Sequence, residues 1–110
     1  MDNMTLREVC NSAKVSRRAV QGYEKAGLVF ASGKNERGYL LYDIHTLERI
    51  KQIKLYQQFG FTIKEIKNII DAPNVVLKVV LEEQIIRLKE EKRQIEILID
   101  KADELTKNLC

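Results

Sequence analysis

Six basic side chains fall within residues 13–37: Lys14, Arg17, Arg18, Lys25, Lys34 and Arg37, against only Glu24 and Glu36. Arginine presents a planar fork of donors that matches phosphates and guanine edges in a bidentate way, so the adjacent pair Arg17-Arg18 is the first candidate for chemistry. The net charge of +3 is modest, but its distribution is uneven. Residues 1–71 hold 12 basic and 8 acidic groups, whereas residues 72–110 hold 7 and 8. A local basic excess on a nearly neutral body is the footprint of a polyanionic partner. Charge alone leaves a solvated basic face equally open. No nucleophile–base pair, phosphate loop or carboxylate dyad stands out, so the expectation is that the chain is not an enzyme.

His45 is the single histidine, and Cys10 and Cys110 sit near opposite ends without a Cys-x-x-Cys. That spacing argues against a structural disulfide and gives too few ligands for a metal site, even if a dimer brought two copies of Cys110 together. Cys10 reads as a small core residue. No apolar run is long enough to cross a bilayer, and "MDNMTLREV" lacks a basic-then-apolar leader. The expectation is a cytoplasmic protein with no cofactor and no membrane partner.

The elements that position these residues are marked by local signals. "TLRE" (Thr5–Glu8) and "TIKE" (Thr62–Glu65) have the form of capping boxes, and Ser16 and Asp43 are N-cap types. Helices are expected over about 6–12, 17–26, 44–59 and from 62 onward. Asn11–Lys14 forms the turn between the first two, and Gly27 and Gly60 act as stops. Helix, short turn and helix within roughly twenty residues make a helix-turn-helix. "LVFA" and "YLLY" flank "SGKNERG", which reads as a two-stranded hairpin, a wing over about 28–42. The third helix is apolar on most sides, with His45, Arg49, Gln52 and Tyr56 forming its open stripe. In the fourth, Ile63, Ile66, Ile69 and Ile70 turn inward.

Residues 75–109 contain neither Gly nor Pro and read as one helix of roughly 50 Å. Leu81, Leu88, Ile95, Ala102 and Leu109 recur every seven residues. Leu98 and Leu105 occupy the companion position, which Gln84 and Glu91 interrupt, and Ile85 and Ile99 widen the stripe. A body of about 70 residues cannot cover so long a seam, so the expected cover is a second copy of the chain. The fold class is therefore mainly α: a winged helix-turn-helix domain over 1–71, a connection at 72–74, and a coiled-coil dimerisation helix over 75–110.

In this order, "TLREVCNSAKVS", "GYEKAGLV", "GYLLYD" and "LYQQFGFTIKEIKNII" resemble the MerR family of bacterial transcription regulators. The resemblance covers residues 4–71 nearly continuously, and the long terminal helix extends it. It implies a homodimer joined by an antiparallel coiled coil, and because the sequence stops at the end of the long helix, the expectation is a short form without a separate effector-binding domain. It further implies recognition of palindromic promoter DNA, control by distorting that DNA, and RNA polymerase at the promoter as a further partner. The second helix would enter the major groove. Arg17, Arg18, Gln21 and Lys25 share one of its faces, and Ser16 sits where a phosphate can meet free amides. Lys34, Arg37 and Tyr39 would hold the backbone from the wing. Tyr23 belongs to the same contact set, although its helical phase turns it toward the body.

The chain departs from the family pattern at several positions. Gln21 and Gly22 stand where Arg-Tyr is usual, Ala31 replaces a proline, and Leu40 replaces the arginine after Gly-Tyr. Two alternatives stay open: an interaction module that pairs with a longer relative, and an architectural DNA-bending factor.

Overall fold

The computed structural model describes residues 3–109, and Cys110, the terminal cysteine weighed above, lies outside them. The chain divides into two compact units, 1–71 and 72–110.

The first unit is built on four capped helices. α1 (Leu6–Ala13) starts on a reciprocal capping box. Glu8 N donates to Thr5 Oγ1 at 3.3 Å, and Thr5 N donates to Glu8 Oε1 at 3.0 Å. α2 (Arg17–Lys25) is capped by Ser16, whose Oγ accepts from Ala19 N at 3.0 Å. α3 (Ile44–Gln58) is capped by Asp43, which accepts from Thr46 N at 2.8 Å. α4 (Ile63–Ile69) repeats the capping box with Thr62 and Glu65. Each cap satisfies a helical amide that would otherwise lack a partner. Gly27 and Gly60 close α2 and α3 at φ of 78° and 105°, a left-handed region where a side chain is strained. α1 runs through Ala13 and ends on Lys14 in the left-handed conformation, so the turn to α2 is shorter than expected.

The sheet differs from the expected hairpin. Its three strands are β1 (Met4–Thr5), β2 (Gly33–Lys34) and β3 (Leu40–Tyr42), all antiparallel in the order β1-β3-β2. Thr5 and Gly33 both pair with Leu41. "LVFA" is not a strand. Leu28 and Val29 fill the core, while Phe30 is 69% exposed. Burial of these two side chains, rather than cross-strand pairing, uses that apolar run.

The phase of α3 also differs. Tyr56 is buried, and Phe61 meets it edge-on at a centroid distance of 6.3 Å. Gln52 Nε2 donates to the Tyr56 hydroxyl at 2.9 Å. Arg49 and Gln52 are half-buried, so of the expected open stripe only His45 lies exposed. Leu55 and Ile44 are the α3 apolar residues left at the surface. Covering the polar stripe is feasible because its members bond to one another and to neighbouring segments. Val9, Val20, Tyr42, Ile50, Ile53 and Ile66 form the fully enclosed centre of the core.

The second unit is α5 (Asn74–Asn108), a single helix of 35 residues entered from Pro73. Among its described residues only Gln84 is buried. Ile85, Leu88, Ile95, Leu98, Ile99, Leu105 and Leu109 are all exposed, from 36% to 75%. Its charged side chains pair along the helix, as in Arg93–Glu90 at 2.8 Å and Lys92–Glu96 at 3.9 Å. No helix among the described residues is long and apolar enough to cross a membrane.

Candidate nucleic-acid interface

α2 is fixed from behind and open in front. Val20 and Tyr23 are buried, whereas Arg17, Arg18, Gln21, Gly22 and Lys25 are exposed. Tyr23 therefore does not present its ring outward. Its hydroxyl donates to Gln57 Oε1 of α3 at 2.6 Å, and burial pushes its pKa up. The expected DNA contact is not open to this buried side chain, which instead positions α2: the ring fills the core that the helix rests on. Tyr42 does the same from the sheet. Its hydroxyl donates to Glu24 Oε1, and burial, reinforced by that carboxylate, raises its pKa. Two phenols thus tie α2 to α3 and to β3, leaving the face with Arg17 and Arg18 to solvent.

The turn before α2 is held by a residue that sequence reasoning did not single out. Lys54 Nζ of α3 donates to Lys14 O at 2.8 Å and to Ala13 O at 3.4 Å. An ammonium on the last carbonyls of a helix complements the negative end of its dipole. The contact ties the α1–α2 turn to α3. Arg49 plays a similar part farther along. Its Nε donates to Leu28 O at 2.5 Å, and its two terminal nitrogens bind Asp71 at 2.7 and 2.9 Å. The hydrogen bonds from Arg49 hold the Asp71 carboxyl below its ordinary 3.8.

In the wing loop, Asn35 is the organiser. Its Oδ1 accepts from Arg37 N at 2.9 Å and Tyr39 N at 3.0 Å. Its backbone N donates to Tyr39 O at 2.9 Å, and Gly38 N donates to Asn35 O at 3.0 Å. An asparagine that bonds to backbone two and four residues on is a local turn signal, and "NERG" carried it. The loop so formed exposes Lys34, Arg37 and Tyr39. The structure thus brings Ser16, Arg17, Arg18, Gln21 and Lys25 to α2 and its cap, and Lys34, Arg37 and Tyr39 to the wing. Both segments carry a basic surplus. Among the described residues no group of three His, Cys, Asp or Glu side chains could hold a metal ion.

Residues 4–73 match the MerR HTH family regulatory protein. The chain is 32% identical over 98 residues to the HTH-type transcriptional activator mta of Bacillus subtilis, spanning 89% of this chain and 38% of that protein. It is 28% identical over 94 residues to the mercuric resistance operon regulatory protein of Bacillus cereus, spanning 83% of this chain and 71% of that one. Among solved structures, a MerR-family transcriptional regulator from Bacillus cereus superposes with a TM-score of 0.84 at 29% identity, covering 97% of this chain and 82% of that one. The matched segment takes in α1, α2, the wing, α3 and α4. This chain belongs to the MerR helix-turn-helix family, a family of DNA-binding transcriptional regulators.

Proposed function

We propose that the protein is a homodimeric, sequence-specific regulator of transcription that binds an inverted-repeat promoter element and acts by distorting it. The observation that carries this reading is the presentation of α2. Its N-cap is satisfied, its Val20 and Tyr23 are buried, and its arginine pair lies exposed within the first turn. Recognition helices read bases with residues near their N-terminus. Arg17 and Arg18 are assigned to base edges, with Gln21 and Lys25 beside them. Lys34, Arg37 and Tyr39 hold the backbone from the wing, and the Ser16 cap faces a phosphate.

Residues 1–71 act as the DNA-binding domain, 72–74 as a connection and 75–110 as an antiparallel coiled-coil dimerisation helix. The seam of Leu81, Ile85, Leu88, Ile95, Leu98, Ile99, Ala102, Leu105 and Leu109 mates with its copy, and two heads then face two half-sites. RNA polymerase at the promoter is the further partner this reading assigns.

Selection from random duplex DNA by gel shift, repeated across salt, tests the proposal. An inverted repeat should be enriched, with affinity falling steeply as salt rises. Arg17→Ala and Arg18→Ala should each relax base preference by about 1–3 kcal/mol at one position, and Lys34→Ala should weaken all sequences alike. Binding that ignores sequence favours an architectural factor. A monomer that pairs only with a longer relative favours an interaction module.

A further inference from the structure

An open groove of about 530 Å³ runs between the start of α1 and the wing, lined by Leu6, Arg7, Arg17, Tyr39 and Leu40 among others. Arg17 belongs to the recognition helix and Tyr39 to the wing, but Arg7 has no place in the interface so far described. We propose that this groove seats one DNA phosphodiester, held by the guanidinium group of Arg7 beside the recognition helix, and that Arg7 is an additional backbone-anchoring residue. The inference rests on the DNA-binding reading above and extends its contact surface to α1.

Three features support the assignment. Arg7 and Arg17 are both exposed, and among the described residues neither forms an ion pair. The neighbouring carboxylate, Glu8, is engaged by Thr5 through the capping box. Arg7 also sits in the first turn of α1, where a cation opposes the positive end of the helix dipole. An anion seated beside it would relieve that opposition. The groove walls suit the rest of a nucleotide. Tyr39 is 60% exposed, and Leu40 and Leu6 add apolar surface that a deoxyribose ring can cover.

The test uses the full chain and a duplex selected by the wild type. Arg7→Ala should weaken binding of the two-headed dimer by about 50-fold at 0.1 M salt, with the loss shrinking toward none near 1 M, and should lower the slope of log affinity against log salt by about one per head. The loss should be equal on selected and random duplexes, because a phosphate contact carries no sequence information. Arg7→Lys should recover most of it, which separates lost charge from misfolding. Ethylation of the one contacted phosphate in each half-site should impair wild-type binding and leave Arg7→Ala unaffected. If the wild type binds in a salt-dependent way and Arg7→Ala matches it in affinity, slope and ethylation pattern, this assignment is wrong while the DNA reading stands. If the wild type binds no duplex at any salt, both fall together.

Discussion

The two units expose surface of opposite kinds. In residues 1–71 most of the large apolar side chains are enclosed, and every buried apolar residue of the described chain lies between Val9 and Ile70. What α2 leaves outside is Arg17, Arg18, Gln21, Gly22 and Lys25. In α5 the apolar side chains are what lies outside, and its one buried residue is the polar Gln84. Exposed charge in water is stable as it stands. Exposed leucine and isoleucine in a seven-residue repeat are not, since each forgoes about 1.5–3 kcal/mol of burial. The head is thus finished on the inside and presents charge outward, whereas the helix presents an uncovered apolar stripe, which the proposed dimer would cover.

The largest expected effect breaks that comparison on the helix side. Ile95→Asp puts a charge into the seam, and in a two-fold dimer it does so twice. Losing two buried side chains should raise the dimer dissociation constant by about 10²–10⁴. Sedimentation should then show monomer at concentrations where the wild type is dimeric. A variant that stays dimeric would place the interface elsewhere than the heptad stripe.

On the head side the sharpest break is Ile53→Ala. Ile53 is fully buried, and truncation there should destabilise the head by about 2–5 kcal/mol through lost burial and the cavity left behind. The melting temperature should fall, while the dimer, measured well below it, should persist. If one substitution moves both quantities together, the two units are not energetically separate and the contrast drawn above is too simple.

These helices were legible in the sequence because their signals are local. A hydroxyl or carboxylate three residues ahead of its target amide is visible at Thr5, Ser16, Asp43 and Thr62, and all four caps form. The wing was half legible. β3 was found, but strands of two residues have no period to read, and the pairing of Met4–Thr5 with Leu41–Tyr42 spans the domain. The phase of α3 is not legible for a different reason: apolar residues on most of its circumference leave it undetermined, so the sequence alone does not show that Tyr56 is buried. For the interface, the arginine pair announced itself by type. Lys54 and Arg49 did not, because each acts on a segment distant in sequence, and composition cannot say where a long cation will reach.

The boundary between the units can be probed by acid. Asp71 closes the first unit, and its carboxyl is held below its ordinary 3.8 by the hydrogen bonds from Arg49. A carboxylate whose pKa is depressed on folding adds stability above its unfolded pKa and loses it as pH falls through the folded one. Melting temperature should therefore decline below about pH 4. Asp71→Asn should melt slightly lower than wild type at neutral pH, and the two curves should converge in acid. The effect should be small, because the carboxylate is largely exposed and such pairs are weak. A gap that persists to low pH would mean that Asp71 acts through packing and not through its charge.

The smallest change tests what the exposed face of α2 is for. Gly22 lies in the helix interior, and a Cβ built there meets no heavy atom within 4 Å. Neither packing nor an unusual backbone angle requires glycine, so Gly22→Ala should stabilise the head by about 0.5–1 kcal/mol, or roughly 2–5 °C in melting temperature. Under the proposed docking of α2, a glycine between Arg18 and Lys25 has another use, since it lets the backbone come close to the duplex. The variant should therefore melt higher and bind its selected duplex more weakly, with the seam unaffected. A rise in melting temperature with unchanged or tighter binding would mean that the helix keeps its backbone clear of the DNA, and that recognition rests on the long side chains alone.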